Sequence, residues 1–198
     1  VALRPGWRNV AGLTPLASYP WTQHWERDLN YFGFPLDTLS DQFHWTEITG
    51  YYDPPESLRF ETNHIDGSRP ATFSVNLAGR LGTTHIDWVQ IRNGTGPYVA
   101  VMDSVQWFGR GLLTTTVTLP PGTLGEGNVN RFRMWGKNSG GPPNRTTNFF
   151  DNVGLNYFEA TYWRGYRALN TYLSCNSGDA EGEIQIHATG FINPTVRI

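Results

Sequence analysis

The sequence has little sulfur, little lysine and little charge for its length. Its 198 residues include one cysteine, Cys175, and one lysine, Lys137. A lone cysteine excludes an intramolecular disulfide and any metal site built from several cysteines. Charged residues make up 16% of the chain, against roughly 25% in typical domains. The net charge of −2 argues against a nucleic-acid or anionic-membrane partner held by electrostatics.

Long apolar runs, helical periodicity and common catalytic motifs are also missing. No apolar stretch approaches the ~20 residues of a membrane-spanning helix, so we expect no membrane partner. Short turns of helix are predicted only at residues 37–43 and 56–58. The sequence contains no GxSxG, no HExxH and no glycine loop before a helix. A serine hydrolase of the elbow type, a zinc hydrolase and a phosphate-binding loop are therefore disfavoured.

What the sequence does contain is period-two alternation between turns. Aromatic residues reach 14%, and 22 glycines and 13 prolines supply turn signals. Such a pattern predicts short antiparallel strands. The clearest runs are 73–77, 112–119, 130–135, 153–166 and 184–188, and Trp163 is expected to be buried. Eight to ten strands indicate an all-β fold, an antiparallel β-sandwich of the jelly-roll type. We expect one domain over residues 1–198, with residues 1–50 as a less regular extension packed on it.

The segment from Leu112 to Trp135 has the clearest strand and turn pattern in the sequence. A threonine-rich strand leads into Pro120-Pro121-Gly122, and a second alternating strand follows from Asn130. The pattern predicts a strand, a tight turn and a strand paired with the first. If Phe132 and Met134 face the core, Trp135 lies on the outer face.

That outer face is the predicted ligand site. Trp135 shares it with Arg131 and Arg133, and Trp88 and Trp45 are further candidates. An exposed indole stacks on the apolar face of a sugar ring, and arginines bind its hydroxyls. The alternative is that the first fifty residues cover Trp135, in which case it is a core residue.

Calcium is the most plausible ion. β-Sandwich loops rich in Asp and Asn can ligate it, and the candidate donors are Asp103 and Asp151, with Asn148 and Asn152. The alternative is that these residues form hydrogen-bonded turns. On a strand, His24, Glu26 and Asp28 would also share one face, either as metal ligands or as an ordinary solvated surface.

Two enzymatic alternatives remain open at this level. A pair of carboxylates for glycoside hydrolysis is assembled in space and leaves no sequence motif. Cys175 could be a core atom, a nucleophile or neither, and a dyad with His187 needs a geometry that sequence does not supply.

The order of short motifs from Pro70 to Ile198 carries a family resemblance. These motifs are the strand 71–77, Asn93-Gly94, Trp107-Phe108-Gly109, the turn 124–128, and the segments 151–159, 162–168 and 190–191. Together they resemble the β-rich region that precedes the catalytic domain in gingipain-like secreted cysteine peptidases. The chain is also similar to galactose-binding-like jelly rolls of carbohydrate-binding modules. The resemblance implies a non-catalytic sandwich with neighbouring domains in a secreted or cell-surface protein, and it supplies no catalytic residue.

The sequence therefore predicts a non-catalytic carbohydrate-binding module that holds a polysaccharide or other glycan by aromatic stacking. One alternative is a structural or pro-region module of a gingipain-like peptidase that binds no sugar. The second alternative is a β-sandwich glycoside hydrolase or lyase.

Overall fold

The computed structural model describes residues 12–31, 43–49, 56–136 and 151–192. These residues form strands and connecting turns, and they contain no helix, so no described helix could cross a membrane. The strands are β1 (Ser18–Glu26), β2 (Asn30–Tyr31), β3 (Phe43–His44), β4 (Thr46–Thr49), β5 (Glu56–Thr62), β6 (Ala71–Gly79), β7 (Thr84–Asn93), β8 (Val99–Phe108), β9 (Leu112–Leu119), β10 (Gly127–Gly136) and β11 (Asn152–Gly165).

The described residues form two large antiparallel sheets and a two-stranded antiparallel sheet, β2-β3. The five-stranded sheet has the order β1-β11-β6-β9, with β4 also paired to β11, and the four-stranded sheet has the order β5-β10-β7-β8. The chain crosses from one sheet to the other between β4 and β5, β5 and β6, β6 and β7, β8 and β9, β9 and β10, and β10 and β11. These repeated crossings confirm the antiparallel β-sandwich of jelly-roll type predicted from the strand pattern.

The predicted hairpin between residues 112 and 135 is wrong, although both of its strands exist. β9 pairs with β6 in the five-stranded sheet, whereas β10 pairs with β5 and β7 in the four-stranded sheet. Each strand turns its apolar side to the core from its own sheet. Asn130 stabilises the connection, since its side chain accepts from the Gly125 N–H at 2.8 Å and donates to the Gly125 carbonyl at 2.9 Å.

Two other local predictions also fail. Residues 56–58 begin strand β5 rather than a helical turn, because pairing with β10 outweighs a weak local signal. Residues 184–188 form no strand; Ile186 makes only an isolated bridge to Leu16. Residues 37–42 lie outside the described residues.

The core lies between the sheets and centres on four phenylalanines. Phe73 and Phe158 project from the five-stranded sheet, and Phe60 and Phe132 project from the other. Phe132 and Phe158 have ring centroids 5.1 Å apart, and Phe60 and Phe73 are 5.7 Å apart. All four are at most 2% exposed. Burying such rings contributes most of the stability of a sandwich, because each removes a large apolar area from water.

The period of two also corrects the prediction for Trp163. Tyr162 is buried at 1% exposure, so its neighbour in β11 faces outward. Trp163 is only partly covered, with the Arg69 guanidinium 3.3 Å from its ring centroid.

Candidate functional site

The outer face of the four-stranded sheet brings together aromatic and arginine side chains. In β10, Asn130, Phe132 and Met134 are fully buried, so the residues between them point away from the core. The same alternation in β7 directs its even-numbered residues outward. We call this surface the Trp–Arg face; its members are Trp88, Gln90 and Arg92 of β7, Arg131, Arg133 and Trp135 of β10, and Arg59 of β5.

Trp88 and Trp135 occupy one row of this face. They are register partners across β7 and β10, and their ring planes differ by 4° with centroids 6.0 Å apart. That separation lies within the roughly 4.5–7 Å range of paired aromatic rings, and the two rings form a stacked pair. Both rings are partly exposed. The pair is therefore a stacked and partly exposed aromatic element of the outer surface.

The next row holds Arg133 in a defined position. Its Nε and Nη2 both donate to Oε1 of Gln90, at 3.0 and 2.6 Å. Its guanidinium carbon also lies 3.7 Å from the ring centroid of Tyr98 and 5.0 Å from that of Trp135. These contacts fix the guanidinium beside the tryptophan pair, as cation–π and fork-like hydrogen bonds do.

The third row consists of Arg59, Arg131 and Arg92. Arg131 is the register partner of Arg59 in β5 and of Arg92 in β7. The Arg92 guanidinium carbon lies 4.6 Å from the Tyr98 ring centroid. Tyr98 thus contacts arginines of two neighbouring rows.

Strand β8 borders the tryptophan row with a bulge. Asp87 pairs with Val105 and Val89 pairs with Met102, so Asp103 and Ser104 together face the single residue Trp88. Ser104 has a φ of 57°, and Asp103 is exposed. The predicted calcium donor Asp103 is therefore a surface residue at the edge of the Trp–Arg face.

The other predicted calcium donor, Asp151, lies in a buried polar cluster. Its Oδ1 is 2.7 Å from Nδ1 of His85, and its Oδ2 accepts from the Ile86 N–H at 2.8 Å. Asp87 lies next to it, and both of its carboxyl oxygens are buried. Burial, and then the charge of Asp151, raise the pKa of Asp87 to about 9. The raised pKa favours the neutral acid form of Asp87.

Within the described ranges, no group of three or more His, Cys, Asp or Glu side chains is arranged to hold a metal ion. Asp103 is exposed and Asp151 is 1% exposed. Asn152 belongs to β11, and Asn148 lies outside the described residues. A calcium site remains a prediction.

The histidine on β1 is engaged by two carboxylates. Nδ1 of His24 is 2.8 Å from Glu159 and Nε2 is 2.9 Å from Glu26. Partial burial lowers the pKa of His24, but the hydrogen bonds to Glu159 and Glu26 outweigh it and raise the pKa overall. The side chains are exposed, in agreement with the solvated-face alternative for this strand.

Trp45 is separated from the other predicted ligand-binding residues. It is 9% exposed, belongs to the core and stacks on Phe158 with centroids 5.3 Å apart. Its burial follows from its position between β3 and β4, at the margin of the five-stranded sheet. We therefore leave Trp45 out of the Trp–Arg face.

The single cysteine is exposed and near no activating base that the described residues show. Desolvation raises the pKa of Cys175, with Arg164 acting in the opposite direction. A raised pKa leaves little thiolate at neutral pH, which is the reverse of what a nucleophilic cysteine needs.

The sequence alone did not identify three members of the face, or the tyrosine that contacts it. Gln90 and Arg92 could have been found, since the alternation that buries Val89 and Ile91 turns them outward. Arg59 was hidden by the helical interpretation of residues 56–58. Tyr98 precedes a strand and carries no periodic signal, so only the fold brings it to Arg133.

The described residues thus define an antiparallel β-sandwich with an aromatic, arginine-bearing outer surface on its four-stranded sheet. No protein-family model matches the chain, and no curated protein matches it. Among solved structures, the chain is similar to dimeric latent PorU from Porphyromonas gingivalis, at 12% identity and a TM-score of 0.51. The match covers 79% of this chain and 14% of PorU. It supports the sandwich fold and gives no assignment to the galactose-binding-like group.

Structures of infectious bursal disease virus also match, at lower scores. The Gx strain aligns with 11% identity and a TM-score of 0.44 over 75% of this chain and 34% of that one. The VP2 subviral particle aligns with 9% identity and a TM-score of 0.43 over 75% and 33%.

Proposed function

We propose that the chain is a non-catalytic glycan-binding module that holds a polysaccharide on the Trp–Arg face. The observation that carries this proposal is the parallel pair of partly exposed tryptophans, Trp88 and Trp135, with Arg133 fixed beside it. Indole faces stack on the apolar face of a sugar ring, and guanidinium N–H groups donate to its oxygens. An extended outer sheet surface suits a polymer better than a small ligand, which needs a concave pocket.

A catalytic role finds less support in the same residues. One pair of neighbouring carboxyl groups, those of Asp87 and Asp151, is buried, with each residue 1% exposed. A polysaccharide chain cannot reach groups buried between the sheets, whereas a glycosidase needs its acid pair beside the bond that it cleaves. The exposed tryptophan pair has no such obstacle.

A second candidate is favoured by the likeness to PorU. This chain matches only 14% of that protein's length, which suits a sandwich module within a longer polypeptide. In this alternative the Trp–Arg face contacts a neighbouring domain and binds no sugar, as the sequence resemblance to the region before a gingipain-like catalytic domain also implies. Location at the cell surface or outside the cell is part of both proposals.

Affinity electrophoresis against a panel of polysaccharides tests the two candidates. We expect at least one polysaccharide to retard the wild-type protein and the retardation to fall in Trp88→Ala and Trp135→Ala. Trp163→Ala is the matched control, because Trp163 is also outward-facing but lies on the five-stranded sheet. Unchanged mobility of the wild type in every gel would contradict glycan binding and favour the domain-contact candidate.

A further inference from the structure

The third row of the Trp–Arg face places three like charges side by side. Arg59, Arg131 and Arg92 are register partners across β5, β10 and β7, and all three point outward. Like charges directly opposite each other on a sheet destabilise it. Repulsion among three adjacent arginines therefore destabilises the sheet locally unless an opposite charge neutralises it.

Within the described part of the chain, no carboxylate forms an ion pair with the row. The ion pairs that the described residues form involve His24, His64, His85 and Arg80, and none involves these three arginines. The Nε of Arg92 is buried without a hydrogen-bond partner among the described residues. The row thus holds guanidinium donors that the described protein does not use.

We propose that the ligand of the Trp–Arg face is an anionic polysaccharide whose carboxylate or sulfate groups bind the arginine row. This inference rests on the proposed glycan-binding function and specifies the chemical class of the glycan. Guanidinium groups bind both oxyanions through paired N–H donors, so the two chemistries share one mode of recognition. The bound anion would also remove the repulsion within the row.

The distance between the tryptophan row and the arginine row suits an extended polysaccharide ligand. Trp88 and Arg92 are four residues apart in β7, which corresponds to about 13 Å along a strand. One sugar ring cannot stack on the tryptophans and reach the arginine row at that distance. A chain of several sugars lying along the strands contacts both.

Other polyanions fit the molecule less well. Nucleic acids and anionic lipid surfaces are bound mainly through a broad positive field, whereas this protein carries a net charge of −2. Its positive charge on this face is confined to the arginines beside an aromatic pair. That combination favours sugar rings with attached anions.

Matched polymers provide the test. Binding of the intact chain is measured by affinity electrophoresis and calorimetry to dextran and dextran sulfate, and to polygalacturonate and its methyl ester. We expect the anionic member of at least one pair to bind about tenfold or more tightly than its neutral partner, and a salt increase to weaken that binding. The triple variant Arg59→Gln, Arg92→Gln, Arg131→Gln should lose the difference, whereas Arg167→Gln, an exposed arginine after β11, should keep it.

The remaining outcomes overturn the proposal in distinguishable ways. Equal, tryptophan-dependent binding of neutral and anionic polymers would refute the anionic ligand and leave glycan binding intact. Absence of binding to any polysaccharide would refute both. Tighter, arginine-dependent but tryptophan-independent binding to duplex DNA or phosphatidylserine vesicles would identify a general cationic surface instead. A thermal melt of each variant checks folding, and Arg131→Lys, which retains the charge, should keep part of the preference.

Discussion

Trp88 and Trp135 face each other directly across β7 and β10, with ring planes only 4° apart. Their orientation follows from the sheet, because the neighbours Val89 and Met134 are fully buried and fix which way the tryptophans point. Two large aromatic rings that point outward leave apolar surface in contact with water, which is unfavourable. A ligand that covered the rings would remove this unfavourable exposure.

The first prediction concerns the core under the Trp–Arg face. The ring centroid of Phe158 lies 5.1 to 5.6 Å from the ring centroids of Phe60, Phe73 and Phe132. Phe158→Ala should lower the free energy of unfolding by about 3–5 kcal/mol, because it leaves a cavity between the sheets. Chemical denaturation measures this. The matched control is Phe108→Ala, a phenylalanine that is 75% exposed; its loss should change stability by less than about 0.5 kcal/mol.

The second prediction concerns the buried contact between His85 and Asp151. Asp151→Ala removes the partner of both His85 Nδ1 and the Ile86 N–H. Leaving buried polar groups unpaired should cost about 3 kcal/mol or more, seen as a large fall in Tm. Glu26→Ala is the comparison, since it breaks an exposed contact with His24 that should contribute at most ~1 kcal/mol. Equal effects of the two variants would contradict a buried structural role for Asp151.

The third prediction concerns pH. The pKa of Asp87 rises from 3.8 to about 9 on folding, so the folded state binds the proton more tightly. Its stabilising contribution is complete below about pH 4 and is lost as pH rises through about 9. The slope within that window can reach about 1.4 kcal/mol per pH unit. Asp87→Asn should flatten the decline in stability between pH 5 and 8, measured by denaturation at several pH values.

Two controls sharpen the pH experiment. The pKa of His24 is raised, which gives stability lost as pH rises through its own folded value, so the comparison is made in a His24→Gln background. The pKa of Asp66 is lowered, chiefly by hydrogen bonding to Ser68. Its contribution is present above pH 3.8 and disappears only as pH falls below that value, so Asp66→Asn should leave the slope from pH 5 to 8 intact. An unchanged slope in Asp87→Asn would show that Asp87 is ionised in the folded protein.

The fourth prediction concerns a close approach at the end of β6. A Cβ on Gly79 would lie 2.5 Å from Nε2 of His85 and 2.6 Å from the Gly109 carbonyl oxygen. Gly79→Ala should therefore lower Tm by several degrees, because the buried histidine and a backbone carbonyl must both shift. Gly67→Ala meets no atom within 4 Å and should leave Tm nearly unchanged. An unchanged Tm in Gly79→Ala would mean that His85 and the Gly109 carbonyl can move apart without loss of stability, which contradicts this prediction.

The sequence predicts where the strands lie better than it predicts which strands pair with each other. Alternation in Phe73, Val75 and Leu77, and in Phe132 and Met134, needs only one buried side, so it can be read locally. Strand pairing cannot be predicted from such a local pattern, because both sheets present an apolar face to the core. That is why β9 and β10 were predicted as neighbours although they lie in opposite sheets.

The candidate site was predictable only in part. Arg131, Arg133 and Trp135 follow from the alternation of one strand. Their meeting with Trp88 and Arg59 depends on the register of three strands, which local pattern does not specify. The contact between His85 and Asp151 joins residues 66 positions apart, so no spacing motif could reveal it. Burial of Trp45 required knowledge of which strands flank it.

The central claim is that Trp88 and Trp135 bind a glycan together. The most direct measurement is the Kd of the wild-type protein, Trp88→Ala, Trp135→Ala and the double variant for the polysaccharide that retards the wild type most, with Trp163→Ala as control. We expect each single variant to weaken binding roughly tenfold, the double variant to abolish detectable binding, and Trp163→Ala to match the wild type. Wild-type affinity in the double variant, or equal losses in Trp163→Ala, would contradict the account.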